Sequence, residues 1–319
     1  MLERLGHNKF LVIGRAGMDL YADPPGTKME DATKFSAALG GSAANIAVAI
    51  TKQGGKTTLL TAVSNDAVGR YTLKALASYG VDTRYIRNVG GEARNSLAVV
   101  ETRAINCQSV IYRNGAADFE VTDSDADAID YSDFAALIVT GTALAKEPSR
   151  SATLRAMNLA RKAGLVLIID IDYRPYSWNS KSEAQGICVE AAELCDIIIG
   201  NDEEFAVLGG MEGGLELAAR LGNGANRIVV YKKGDRGSVT FSGSTRFETP
   251  VFGVTALKPT GAGDGFMGGL ISGLVAGEPL PESVRRGAAT AAIVVTRPGC
   301  APAMPDTTEV LSFMKQRSA

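Results

Sequence analysis

The sequence predicts an α/β fold of three layers, in which helices cover both faces of a mostly parallel central sheet and a small β-sheet forms a lid. Three observations predict it. From residue 135 onward, short apolar runs alternate with segments of helical spacing, joined by short loops, which is the rhythm of βα units in one parallel sheet. The apolar runs lack polar alternation, as strands covered on both faces do. Two stretches outside that rhythm, about 15–40 and 95–113, carry half-polar strands suited to a sheet with one exposed face.

The elements follow in order. Residues 10–13 form a short apolar run ending at Gly14, a buried first strand. Ser42 precedes Ala43, Ile46, Ala47 and Ile50, a helical spacing with Ser42 as N-cap. Residues 59–63 read as a strand, and Val68, Leu73, Leu76 and Tyr79 as one face of a helix closed by Gly80. Half-polar strands follow at about 95–102 and 108–113. Next come a strand at 136–140, a helix at 149–163, a strand at 165–170, a helix around 183–194, a strand at 196–200 and a short helix from Asp202. A helix around 214–221 leads to a strand at 227–231, and helices fill 264–276, 282–296 and 307–317. No linker or repeat interrupts the chain, so residues 1–319 read as one domain. Ligands of such sheets bind beyond the carboxyl ends of the strands. Asp19, the segment 170–174, Asn201 and Lys232 all fall just after predicted strands.

Composition narrows the chemistry. With 45% hydrophobic and 21% charged residues, the 319-residue chain is ordinary for a soluble globular protein. A net charge of −2 gives no basic field for nucleic acid or an anionic membrane. No apolar run has the length of a membrane span, and the start of the chain lacks the apolar core of a signal peptide. Cys107, Cys188, Cys195 and Cys300 form no CxxC pair, so reduced thiols in a cytoplasm are the simplest reading. The single histidine, His7, argues against a Ser-His-Asp triad, a His-rich zinc site and a His general base. The chemistry falls to carboxylates, lysines, arginines and backbone amides.

The most informative stretch is Lys258-Pro259-Thr260-Gly261-Ala262-Gly263-Asp264-Gly265-Phe266. Small residues turn the backbone and expose successive N–H groups at a helix start, which makes an anion pocket. Asp264 beside that pocket suits acceptance of a proton from a hydroxyl that attacks a phosphate. Read alone, the same residues describe a Gly-rich turn with Asp264 capping a helix.

Gly40-Gly41-Ser42-Ala43-Ala44-Asn45, Asn201-Asp202-Glu203-Glu204 and Gly261-Ala262-Gly263-Asp264 occur in that order, about 155 and about 60 residues apart. Together they resemble the N-terminal signature, the NxxE motif and the C-terminal signature of the ribokinase-like (pfkB-type) carbohydrate kinase family. The resemblance spans about residues 9–306. It implies an ATP- and Mg²⁺-dependent phosphotransferase with Asp264 as the base and the N–H groups of the Gly261, Ala262 and Gly263 turn as the anion hole. It further implies sugar contacts from Asp19, Gly40, Gly41 and Asn45, and Mg²⁺ held through water by Asn201 and Glu204. Nucleotide contacts fall to Lys232, Gly234 and Gly237. Asn45 also reads as a helix cap, Asn201 and Glu204 as a solvated helix start, and Lys233 as a replacement for Lys232. The resemblance implies a homodimer formed through the lid.

Asp170-Ile171-Asp172-Tyr173-Arg174-Pro175 with Trp178, and Ile111-Tyr112-Arg113 with Ala117-Asp118, resemble segments of the family's 5-dehydro-2-deoxygluconokinase branch, which acts in myo-inositol catabolism. That branch implies a sugar-acid substrate phosphorylated on its 6-hydroxyl, with Asp172, Arg113 and Arg174 at the substrate. Arginine suits a carboxylate because its fork donates two hydrogen bonds at once, although either arginine also reads as a structural ion pair. Kinases of 2-keto-3-deoxygluconate, fructose or ribose remain rival readings, as does a sensor that binds nucleotide without turnover. A dehydrogenase fits poorly, because the segment from Gly14 to Asp19 does not complete GxGxxG. One departure stands out. Many family members have Asp-Thr where this chain has Lys258-Pro259, and that Asp helps hold a monovalent cation. Lys258 either replaces the ion with its own charge, which argues against a monovalent cation here, or points to the surface.

Overall fold

The structure, a computed structural model, describes residues 2–224 and 227–317. Among these described residues thirteen strands run in chain order: β1 Lys9–Ile13, β2 Gly17–Asp23, β3 Lys34–Gly40, β4 Lys56–Ser64, β5 Ile86–Val89, β6 Leu97–Val100, β7 Ser109–Tyr112, β8 Ala136–Thr140, β9 Val166–Asp170, β10 Ile197–Asn201, β11 Ile228–Lys232, β12 Ser238–Ser242 and β13 Thr245–Thr249. Nine form one sheet in the order β13-β12-β11-β10-β9-β8-β1-β4-β5. It is parallel from β5 to β11 and ends in the antiparallel hairpin β12–β13. The predicted three-layer α/β architecture is what forms.

The continuous apolar runs explain the layering, because successive side chains of a strand face opposite ways. Leu11, Leu137 and Leu167 pack into one core with the helices Ser149–Lys162 and Lys181–Glu193. Phe10, Val12, Ile138 and Ile168 pack into the other, against Ser42–Lys52 and Ala262–Val275. Among the described residues no helix is long and apolar enough to cross a membrane.

The other four strands form a separate sheet, β3-β2-β6-β7, from the half-polar segments. Two expectations are corrected. Asp19 lies inside β2, not in a loop after the first strand. Ser42 is the first helical residue and not the cap. Gly41 caps that helix at φ +100°, and a Cβ at Gly41 would run into the Arg15 carbonyl. Strand β5 and the β12–β13 hairpin are additional to the predicted elements.

Candidate active site

The helix Ala262–Val275 begins at the carboxyl edge of the sheet. Gly261 precedes it at φ +81°, and a side chain there would lie 3.0 Å from Cys300 Sγ. A left-handed residue this close to a neighbour leaves room only for glycine. The first-turn N–H groups of Ala262, Gly263 and Asp264 have no acceptor within the helix. Asp264 does not cap the helix. Its Oδ2 accepts a 2.8 Å hydrogen bond from Asn45 Nδ2, while Asn45 Oδ1 is buried without a partner. Asn45 therefore reaches across to Asp264 and does not cap its own helix. Burial, followed by the charges of Asp172 and Asp170, pushes the Asp264 carboxyl up to about 8.

A cleft of roughly 350 Å³ opens over Asp264, walled by the small sheet on one side and by the loops after β8 and β9 on the other. Asp19 lines it. Its Oδ2 accepts from Tyr21 Oη at 3.1 Å and its Oδ1 has no partner. Burial raises the Asp19 pKa against the opposing charge of Arg15. Gly40 and Gly41 stand behind the cleft wall. Gly40 makes room for the Asp19 carboxylate, where a Cβ would overlap it.

Three arginines line the cleft. Arg113 follows β7 and is tied to Asp118: Nε donates to Oδ2 at 3.0 Å, Nη2 donates to the same oxygen, and Nη2 also donates to the Thr142 carbonyl at 3.0 Å. The Phe119 ring lies 3.9 Å from its guanidinium. Arg113 Nη1 and Asp118 Oδ1 remain buried without partners. Arg174 has a side chain 41% exposed and pairs with Asp172 at 2.7 Å, with Glu204 3.7 Å away. Asp172 holds a left-handed φ of +38°, uncommon for a residue with a side chain, and its Oδ2 accepts from Thr142 Oγ1 at 3.0 Å. Arg15 is buried and donates from Nη1 to Ser96 Oγ at 3.2 Å.

Asp170, Asn201 and Lys232 end β9, β10 and β11 side by side. Asn201 and Glu204 form a reciprocal cap: Glu204 N–H donates to Asn201 Oδ1 at 2.8 Å, and Asn201 N–H donates to Glu204 Oε2 at 2.7 Å. Glu204 is buried, so this helix start is not a solvated one. Burial, opposed by Lys232 and assisted by Asp170, raises the Glu204 carboxyl to about 7. Lys232 Nζ lies 4.0 Å from Asp170 Oδ1 and presses on the Ala262–Val275 helix start, 3.3 Å from where a Cβ of Gly263 would sit. Burial disfavours its charge, but Asp170, Glu204 and Asp264 outweigh that and raise its pKa. Lys233 instead pairs with Glu248 at 3.1 Å. Gly234 and Gly237 form the turn from β11 to β12 at φ +62° and +81°, away from the cleft lining. Among the described residues no group of three or more His, Cys, Asp or Glu side chains could cage a metal. The donor set suits a cation that keeps its water, as Mg²⁺ does.

Lys258 is fully buried, which removes its surface-pointing alternative. Its Nζ donates to the Thr260 carbonyl at 2.5 Å and the Val294 carbonyl at 3.4 Å. Burial lowers its pKa. Sequence reasoning did not assign Arg15, Tyr21 or Thr142 to the site. Arg15 directly follows Gly14 at the carboxyl end of β1, and that position was its available signal.

Comparison with known proteins agrees with this geometry. The model of the pfkB family carbohydrate kinases matches residues 7–307. The 5-dehydro-2-deoxygluconokinase of Photobacterium profundum is 39% identical over 313 residues, covering 96% of this chain and 95% of that protein. The enzyme of the same name from Geobacillus kaustophilus is 36% identical over 314 residues, covering 96% and 93%. Among solved structures, a fructokinase double mutant from Vibrio cholerae O395 with fructose, ADP and potassium ion bound aligns with a TM-score of 0.83 at 25% identity, covering 96% of this chain and 97% of that one. The apo form of a putative ribokinase II from E. coli aligns with a TM-score of 0.88 at 21% identity, covering 97% and 99%.

Proposed function

The chain belongs to the pfkB family of carbohydrate kinases, and on that premise we propose that it transfers the γ-phosphoryl group of ATP to the 6-hydroxyl of 5-dehydro-2-deoxy-D-gluconate. The observation that carries this reading is Asp264. A carboxylate held by Asn45 at the open N-terminus of a helix, in a cleft lined by three arginines, supports proton removal from a hydroxyl beside a phosphate. Asp264 takes the proton of the attacking hydroxyl. The N–H groups of Ala262 and Gly263 donate to the phosphoryl oxygens as charge gathers on them. Lys232, against the same helix start, adds positive charge on the nucleotide side. Asn201 and Glu204 would hold Mg²⁺ through water, and that ion would neutralise phosphate charge. Asp19 and Asn45 hydrogen-bond sugar hydroxyls through the oxygens left without partners, and guanidinium charge in the cleft favours an acid over a neutral sugar.

The small sheet acts as a lid on a single kinase domain, excluding water so that ATP is not hydrolysed. Lys258 supplies a fixed positive charge in place of a monovalent cation, a reading supported by its two carbonyl partners. Two chains pair through the small sheets, whose apolar Phe35, Val110 and Tyr112 are exposed. The four free cysteines support a reducing cytoplasm.

A coupled ADP-release assay tests the reaction across 5-dehydro-2-deoxy-D-gluconate, 2-keto-3-deoxygluconate, fructose and ribose. The highest kcat/KM is expected for the first. A higher value for 2-keto-3-deoxygluconate would reassign the acid, and a higher value for fructose or ribose would overturn the sugar-acid reading. ATP binding without ADP release on any of them would leave a sensor.

A further inference from the structure

The three cleft arginines are not equivalent. Arg113 is neutralised by Asp118 and Arg174 by Asp172. Arg15 is only 8% exposed, yet among the described residues it has no carboxylate within ion-pair distance. Its one protein acceptor is the neutral hydroxyl of Ser96. A buried guanidinium without a counter-charge is unfavourable unless something else supplies the charge. Asp19, on the same wall, feels the charge of Arg15 but forms no ion pair with it. One of its oxygens is taken by Tyr21 and the other has no partner.

The position of Arg15 is also fixed. Its carbonyl accepts from Ala44 N–H at 3.3 Å and packs against Gly41, so the backbone is clamped at the carboxyl end of β1. Ser96 holds one corner of the fork and leaves the rest facing the cleft. A carboxylate approaching Arg113 or Arg174 meets a pair whose charge is already cancelled. One approaching Arg15 meets a guanidinium with no carboxylate paired to it, in a poorly solvated wall where Coulomb attraction is stronger than in water.

We propose that Arg15 binds the carboxylate of the sugar-acid substrate and is the residue that makes the cleft selective for acids. The assignment rests on the sugar-acid reading of this same site. Arg113 and Arg174 shape the wall through Asp118 and Asp172.

The test is steady-state kinetics with 5-dehydro-2-deoxy-D-gluconate and its C1 primary-alcohol counterpart, on the unaltered protein and on Arg15→Gln, Arg113→Gln and Arg174→Gln. Loss of a charge-assisted hydrogen bond corresponds to about 10- to 150-fold. Arg15→Gln should raise KM for the acid by that factor and leave KM for the alcohol and for ATP within about twofold. Neither of the other two variants should show so large an acid-specific change. If Arg15→Gln does not fold, Arg15→Lys carries the test, because it keeps a cation and removes the fork. Its KM for the acid should rise several-fold with the alcohol unaffected. An acid preference that survives in both Arg15 variants overturns the assignment, as does an acid-specific loss confined to Arg113→Gln or Arg174→Gln. If the unaltered protein treats acid and alcohol alike, the sugar-acid reading fails and the assignment with it.

Discussion

The proposed role of Asp264 sets two opposed demands. A base must be ionised to accept a proton, yet burial and the charges of Asp172 and Asp170 push this carboxyl up to about 8. The sign of each consequence follows. Below about 8 the unliganded protein holds the proton, so kcat/KM should rise with pH and level off above that value. In the unfolded chain the same carboxyl titrates near 4. Between about 4 and about 8 the folded state therefore binds more protons than the unfolded one, and this group makes stability fall as pH rises. Asp264→Asn should lower kcat by on the order of 10²–10⁴ while making the melting temperature less dependent on pH over that window. A variant that retains half of the original kcat would end its role as the base. An unchanged pH slope of the melting temperature would show that the carboxyl is not raised in the folded state.

At the scale of elements, the start of the Ala262–Val275 helix and the end of the Leu280–Val295 helix are joined by one ammonium. Lys258 donates to the carbonyls of Thr260 and Val294, each from one of these two regions. Such carbonyls are also what a bare monovalent cation would seek. Activity should therefore be the same in Na⁺, K⁺ or a bulky organic cation at fixed ionic strength, a control needed because salt screens phosphate charge. Lys258→Met should lower the melting temperature, because it leaves both carbonyls without this donor. Strong K⁺ activation of the unaltered protein would show that an ion still binds beside Lys258. The sequence allowed this question to be posed but not answered, because burial of a lysine follows from packing and not from its neighbours in the chain. The βα elements were legible, since apolar runs on a doubly covered sheet read the same alone or folded. The hairpin β12–β13 had a signal that the βα reading passed over, because Ser238-Val239-Thr240-Phe241-Ser242 alternates polar and apolar residues ahead of Gly243 but breaks the βα rhythm around it. Asp264 was legible from its glycines. The lack of an ion-pair partner for Arg15 was not, because that is a fact of three dimensions. Asp118 falls in a recognisable motif, but nothing in the sequence marks it as the ion-pair partner of Arg113.

At the scale of the whole molecule, the two faces of the small sheet differ in their surroundings. On β7, Ser109 and Ile111 line the cleft, while Val110 and Tyr112 alternate with them and turn away. The outward pair is 40% and 61% exposed, and Phe35 on the opposite edge strand β3 is 42% exposed. Edge strands carrying exposed apolar side chains readily pair with another chain unless something covers them. A second copy would cover these strands, and it would brace the sheet whose inner face lines the cleft. Light scattering should then report the mass of two chains. Tyr112→Asp, which puts a charge into that interface, should shift the mass toward one chain. Because the same strand carries cleft residues on its other face, the substitution should raise KM for the sugar acid more than KM for ATP. A single-chain mass for the unaltered protein across the micromolar range would refute pairing through this sheet. A two-chain mass that Tyr112→Asp leaves unchanged would move the interface elsewhere, and the lid would then have to close without support from a partner.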